Sequence, residues 1–477
     1  MRWPEGLWPV RMARVAVVAP ADALRDALVR VADAGVVELD PGRRPRAGRN
    51  AAAHPPAAPR AEAAGLEPAV LASAPDPGRP AEWNRPDLAE GEAQVRERAA
   101  SAVRKGHVAA VVGWMPRAAH AALAARLAEV GAALVRLPHP RGVEAPSLLP
   151  GEDRRDSLRG SLVPLVATYG PVPYADLDPT PLAWAAYVLM FGIMFGDAGH
   201  GLLLLAAAAA LLAGRPRRAA RWRRAWPFVL GAGVTSTVFG VLYGEFFGPT
   251  HVVPRLWLSP LDSPVELLVS AVGLGAVLLA GAYALGIVNR WREGGWSAAL
   301  YEPSGISGAS VFLGAAALAA GAYFHRPAVA VAGAGVAVLG LVAASIGFLA
   351  RAGGGGTGVF EAVVELFDLV MRLGANVVSF ARLAAFGLTH AALAAVVWTG
   401  TVALWHHGGV ARVAAAAVFV LGTALTFALE ALVAGVQALR LEYYELFSRL
   451  FTTQGRPFRP WHIRMTAEEV DAPCPQM

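Results

Sequence analysis

The residue with most chemistry to explain is Arg382, which lies inside a long apolar run in the stretch SFARLAAFGLTH, residues 379–390. An ionised arginine at bilayer depth costs roughly 2.5–3.5 kcal/mol even on lenient insertion scales, so it marks an ion pathway, a relay or a paired charge. Projected on one helix at about 100° per residue, residues 361–405 gather Glu361, Glu365, Asp368, Arg372, Ser379, Arg382, Thr389 and His390 into a sector of roughly 120°. The rest of that surface is mostly Ala, Val, Leu, Phe and Gly. Lipid would leave the stripe unsatisfied, which predicts a protein partner or a water-filled path. A second projection, over 412–451, gathers Thr423, Thr426, Glu430, Gln437, Arg440, Tyr444 and Ser448 into about 100°. Two facing stripes predict the walls of an ion path. The plainer alternative is that Arg382, Arg440, Glu430 and Asp368 pair with one another to hold a bundle together.

Two further polar groups lie at membrane depth, Asp197 and His200 in GDAGHG, residues 196–201. The glycines there bend or break the apolar run 182–213, about 32 residues long and too long for one ordinary span. Positions 406 and 407 are both His, but with no third ligand nearby they are expected to be solvent-exposed. GGGG at 353–356 lacks the Lys and Ser/Thr of a phosphate cradle, and no HExxH, nucleophile triad or dinucleotide fingerprint is present. No catalytic centre, cofactor or metal is expected.

The elements that must hold these groups follow from composition and periodicity. Of 477 residues, 55% are hydrophobic and only 16% charged, too apolar for a soluble chain of this length. Apolar runs at 225–247, 265–288, 305–324 and 328–350, with the broken first run and the two long striped helices, total eight spans. The expected fold is therefore a mainly α polytopic membrane protein of eight transmembrane helices, two of them long and tilted, with a small N-terminal α/β cytoplasmic lobe. Arginines cluster in the 214–224 loop, at 289–296, and at Arg449, Arg456, Arg459 and Arg464. That bias puts both termini in the cytoplasm. The net charge of +6 comes with no nucleic-acid motif, and the lone Cys474 excludes an intrachain disulfide and a cysteine cluster.

Ahead of the membrane, residues 14–40 and 107–137 each read as strand, helix, strand, and two such units can share one sheet. Between them, 41–100 is Ala/Pro/Arg-rich linker in which only 81–103 could form a helix. The expected domains are a lobe over 1–143, a hinge over 144–181, a membrane domain over 182–464 and a tail over 465–477. The first 20 residues lack an uninterrupted apolar core, so they do not read as a signal peptide, and Met12 is an alternative start.

Four strings together resemble one family: YGPVPYADLDPTP, FGIMFGDAGHG, ANVVSFARLAAFGLTHAAL and ALEALVAGVQALRLEYYELFSRLF. They are similar to the membrane domain of the a subunit of vacuolar and archaeal-type rotary ATPases, called subunit I in bacteria, over about 144–464. The resemblance implies a proton-conducting stator beside a rotating ring of proteolipid helices, in a bacterial inner membrane, coupling ion flow to rotation without binding nucleotide. Arg382 then falls on the family's principal arginine and Arg440 on its second. Glu430, His390, Asp368 and Gln437 fall on polar positions of the ion path, with Asp197 and His200 in the shared GDAGHG. Implied partners are the ring, peripheral-stalk subunits, the soluble ATPase sector, a central-stalk cap subunit and lipid, with no nucleic acid. Family members usually carry two N-terminal lobes, whereas about 180 residues precede the membrane here, which implies one. Beside this stands the alternative of a stand-alone secondary transporter, and a membrane anchor with a binding lobe leaves both charged stripes unexplained. Arg440 is expected near the end of its run, where Glu442, Glu445 and solvent can compensate for its loss.

Overall fold

The computed structural model describes residues 8–40, 67–71, 85–139, 143–150, 158–214, 222–352, 355–450 and 455–466. Most of the arginine-rich loop (215–221), part of GGGG (353–354), much of the 41–84 linker and Cys474 lie outside them. The chain divides into two compact units, one of residues 8–148 with 455 onward, the other of 149–454.

In the first unit, β1 (Met12–Pro20) buries Val15, Val17 and Ala19, the alternation that a half-buried strand requires. Helix α1 (Leu24–Ala34) packs its apolar face on that sheet and stops at Gly35, whose φ of 58° is the left-handed cap glycine supplies. After β2 (Glu38–Leu39) and β3 (Ala69–Leu71), α2 (Pro86–Ala100) falls within the one stretch of the linker expected to be helical. Then β4 (Val103–Lys105), β5 (Val108–Pro116), α3 (His120–Ala128) and β6 (Ala133–Arg136) complete the second strand-helix-strand pattern. The shared sheet is antiparallel in the order β2-β5-β1-β6, with β4 on β5.

The far end of the chain returns to this unit, so the boundaries at 464 and 465 are replaced. Strand β7 (Arg464–Thr466) pairs in parallel with β3, and Trp461 and Ile463 are buried in the core around α1. Glu38 takes an ion pair from Arg456 and the backbone N–H of Arg459 at 2.9 Å, while Trp461 donates its backbone N–H to Val37 at 2.9 Å. No local pattern could announce this, because the partners lie at opposite ends of the sequence.

The second unit is helical: α4 (Leu158–Ala167), α5 (Thr180–Met194), α6 (Ala198–Leu212), α7 (Trp226–Tyr243), α8 (Pro264–Tyr301), α9 (Ile306–Tyr323) and α10 (Pro327–Arg351). There follow α11 (Gly355–Ser379), α12 (Ala381–Trp405) and α13 (Val410–Leu441), a π-helical turn (Glu442–Leu446) and α14 (Phe447–Leu450). Six helical stretches are long and apolar enough to cross a membrane, where eight spans were expected. The difference is α5 and α6, 15 residues each and so only about 22 Å long, against a hydrocarbon core of about 30 Å. The stretches Gly355–Trp405 and Val410–Leu450 run 51 and 41 residues. At about 1.5 Å per residue each far exceeds the bilayer thickness, a mismatch that tilting and kinking absorb.

Three sequence expectations change. The single striped helix over 361–405 is broken at Phe380, which is fully buried against Gly275 of α8, where a Cβ would collide with its ring. The arginine-bearing stretch 289–296 is not a loop: α8 runs through it, bent at Gly295 (φ 70°), and Arg290 is buried in an ion pair with Glu293 at 2.5 Å. Arg449, counted above as a tail charge, is also buried, its guanidinium 5.9 Å from the centre of the Tyr283 ring. Ahead of α5, Asp178 accepts the Thr180 N–H at 3.0 Å and an Arg159 N–H at 2.9 Å, and Leu177 donates to Asn289 at 3.0 Å. Burial pushes the neighbouring Asp176 carboxyl up to about 8, with Glu293 adding to the shift and Arg290 and Arg292 opposing it. Asp178 seats the start of α5.

If the tail completes the lobe, Ile463→Ala in the full chain should destabilise it by about 2–5 kcal/mol, as for other buried Ile→Ala changes. Limited proteolysis of β1 and α1 should then speed up, as it should for Glu38→Ala; unaltered cleavage in both variants would show that the tail is dispensable.

Candidate functional site

The short helices α5 and α6 meet at Phe195, Gly196 and Asp197, where the backbone leaves helical geometry. Asp197 is fully buried and caps α6: its carboxylate accepts the N–H groups of His200 (2.8 Å), Phe247 (3.0 Å) and Gly248 (2.8 Å). One side chain thus satisfies both a helix start and the turn after α7, where Phe247 holds a φ of 50°. The Ser236 hydroxyl donates to the Phe195 carbonyl, so the break leaves little backbone polarity unsatisfied at membrane depth. Gly240 of α7 passes against the backbone of Asp197 and Ala198 with no room for a Cβ.

Around this junction the structure gathers residues from separate apolar runs. His200 is buried among the rings of Phe195, Phe247 and Phe427, with centroids 5.3–5.5 Å away, and 5.5 Å from the ring of His390 on α12. Nδ1 of His390 is hydrogen-bonded to Glu430 of α13. Glu245, buried just after α7, interacts electrostatically with Asp197, His390 and Glu430. Asp197, His200, His390 and Glu430 were singled out from the sequence; Glu245 was not, although an acid inside the apolar run 225–247 was a visible signal.

Arg382 forms a second centre. The break at Phe380 puts it in the first turn of α12. Its Nε donates to the Ser379 carbonyl at 3.0 Å, and a terminal nitrogen donates to Glu445 at 2.7 Å. The expectation that Glu442 and Glu445 stand ready to compensate for the loss of Arg440 is not met. Both are buried, at 0% and 5% exposure, and Glu445 belongs to Arg382. On an unbroken helix Glu445 projects off the polar stripe. The wider π turn lags by roughly one residue, about 100° over its length, and swings it back. Arg440 is exposed, with no ion pair to the described residues, and Oε1 of Gln437 is buried without a hydrogen-bond partner. Asp368 does not join either centre: it pairs with Arg372 on the exposed side of α11 at 2.6 Å.

The sequence profile of the V-type ATPase 116 kDa subunit family matches residues 100–323, a span that includes Asp197, His200 and Glu245. The A-type ATP synthase subunit I of Pyrococcus horikoshii is 29% identical over 318 residues, 64% of this chain and 46% of that one. Over those spans the chain is similar to the V-type ATPase 116 kDa subunit family. Other members it resembles are the A-type ATP synthase subunit I of Thermococcus kodakarensis, 25% identical over 76% of this chain and 55% of that one, and the V-type ATP synthase subunit I 2 of Treponema pallidum, 34% identical over 35% and 37%. The chain spans about half the length of the curated family members it matches.

Arg382 and Glu445 make a direct test of the bundle-pairing alternative. Glu445→Ala leaves a guanidinium without its partner and should destabilise the chain by about 3–5 kcal/mol. The double variant Arg382→Met with Glu445→Leu should recover most of that in a detergent melt. A double variant no more stable than Glu445→Ala would mean that the two residues do not act as a pair.

Proposed function

We propose that this chain is the proton-conducting stator subunit of an A/V-type rotary ATPase or ATP synthase, coupling ion flow to rotation without a nucleotide site of its own. The observation that carries the reading is Arg382 in the first turn of α12, a fixed positive centre balanced by the Glu445 carboxylate. The guanidinium favours an anion at that point. In the working complex a carboxylate on a passing rotor helix comes to the same place. A unit charge about 4 Å away, at an effective dielectric near 20, favours its ionised form by up to roughly 4 kcal/mol, an attraction available in full only as Arg382 exchanges Glu445 for the rotor carboxylate. Arginine suits the task because it keeps its own proton, whereas a buried lysine can go neutral and let ions leak past.

His390, Glu430 and His200, with Glu245 and Asp197, form the polar path on one side of that centre; Gln437 and Arg440 extend the polar face of α13, and Asp368 that of α11. Asp197 acts there as the fixed cap of α6. The partners are the proteolipid ring, peripheral-stalk subunits docked on the N-terminal lobe, and through them the soluble ATPase sector, with a cap subunit of the central stalk. Because residues 8–148 and the tail from 455 fold into one unit, the chain between them leaves and re-enters on one membrane face. Six and eight crossings both satisfy that. The arginine bias makes this face cytoplasmic.

Purification of the tagged chain in mild detergent should bring down a small proteolipid and soluble ATPase subunits in fixed proportion. A chain that comes down alone and still conducts ions after reconstitution would be a stand-alone transporter.

A further inference from the structure

Asp197, His200 and His390 do more than share a neighbourhood: each offers one ligand atom, all three are buried, and these atoms lie within 4.8 Å of one another. Both ring nitrogens of His200 and Nε2 of His390 are buried without a hydrogen-bond partner among the described residues. His200 is 1% exposed and its Nδ1 stands 3.7 Å from Asp197 Oδ1, too far for a hydrogen bond. Buried imidazole nitrogens seldom stay unsatisfied, and Phe195, Phe247 and Phe427 offer them nothing but ring faces and edges. Something other than these neighbours is needed to use the free imidazole nitrogens, one lone pair on each ring and one N–H on His200.

Two further carboxylates border this group without belonging to it. Glu430 engages Nδ1 of His390, the arrangement by which an outer carboxylate fixes a ligating imidazole and aims its other nitrogen inward. Glu245, 5% exposed, has Oε2 buried without a partner and interacts electrostatically with Asp197 and His390. Three backbone N–H groups hold the Asp197 carboxylate in place. Two imidazoles with one or two carboxylates suit a divalent transition ion of the zinc type, and hard ions such as magnesium or calcium much less.

We propose that His200, His390 and Asp197, with Glu245 as fourth donor, form a binding site for a divalent transition metal at the junction of α5 and α6. Zinc–ligand bonds of about 2.0–2.1 Å place tetrahedral ligands about 3.4 Å apart, so ligand atoms that now lie within 4.8 Å of one another need to close by no more than about 1.4 Å. Glu430, its side chain 12% exposed, is the most open member and the side from which an ion enters. An ion held there pins His390 and Glu430 together. Its consequence, block of ion flow by zinc, rests on the ion-path reading above; the binding itself does not.

The test uses the full chain in its detergent-purified complex, stripped with a chelator and titrated with zinc alone. One zinc per chain is expected, with an X-ray absorption shell containing two imidazole nitrogens. His200→Phe removes two nitrogens while keeping a ring among rings, and should weaken binding at least about tenfold. A chain with His406→Ala and His407→Ala should bind as the wild type does, because that exposed pair is the competing site. No binding above background, equal affinity in His200→Phe, or loss of binding in the His406/His407 variant would each overturn the site. Should His200→Phe fail to accumulate, the His406/His407 variant decides: an imidazole-ligated zinc in it supports the site and none overturns it. Zinc that binds as predicted yet leaves ATP-driven acidification untouched supports the metal site and counts against the ion-path reading.

Discussion

The second unit depends on how one guanidinium is kept charged inside an apolar bundle. Arg382 is held from two directions, by the Ser379 carbonyl that the break at Phe380 releases and by the Glu445 carboxylate that the π turn swings inward. Each irregularity needs the other. Without the break, Ser379 would spend its carbonyl within the helix; without the π turn, Glu445 would point away from Arg382. The burial of Phe380 against Gly275 ties both to α8, so the position of the charge is set by packing as well as by electrostatics.

The same logic recurs at the other break in the bundle. Between α5 and α6 the backbone opens, and a side chain, Asp197, satisfies the groups exposed. Irregular backbone inside a membrane protein is tolerated only where such partners are at hand. The two polar centres of the unit lie at those breaks, one around the Asp197 cap and one around Arg382. The short α5 and α6 and the over-long stretches 355–405 and 410–450 are thus parts of one arrangement, in which regular helices carry breaks where charge must sit.

Much of this was legible. The apolar runs, the break at GDAGHG and the two strand-helix-strand units follow from composition and periodicity, because those signals are local. So do His390 and Glu430, whose facing positions on two helices survive in the structure as a hydrogen bond. Three things were not legible, for one physical reason each. The pairing of β3 with β7 joins opposite ends of the chain and leaves no local trace. A helix projection assumes a constant turn, so it missed the rotation that gives Glu445 to Arg382 and the break at Phe380 that separates the stripe of α11 from Arg382. Charge counting treats every arginine as a loop residue, whereas Arg290 and Arg449 are buried among helices.

The measurement that bears most directly on the central claim is ATP-driven acidification by the assembled complex in reconstituted vesicles, with Arg382 replaced by Ala and assembly verified by subunit content. If a fixed charge in the first turn of α12 makes the rotor carboxylate release its ion, the complex should hydrolyse ATP without acidifying the vesicles, and Arg440→Lys should retain a measurable fraction of pumping. Substantial pumping by an assembled Arg382→Ala complex would contradict the account.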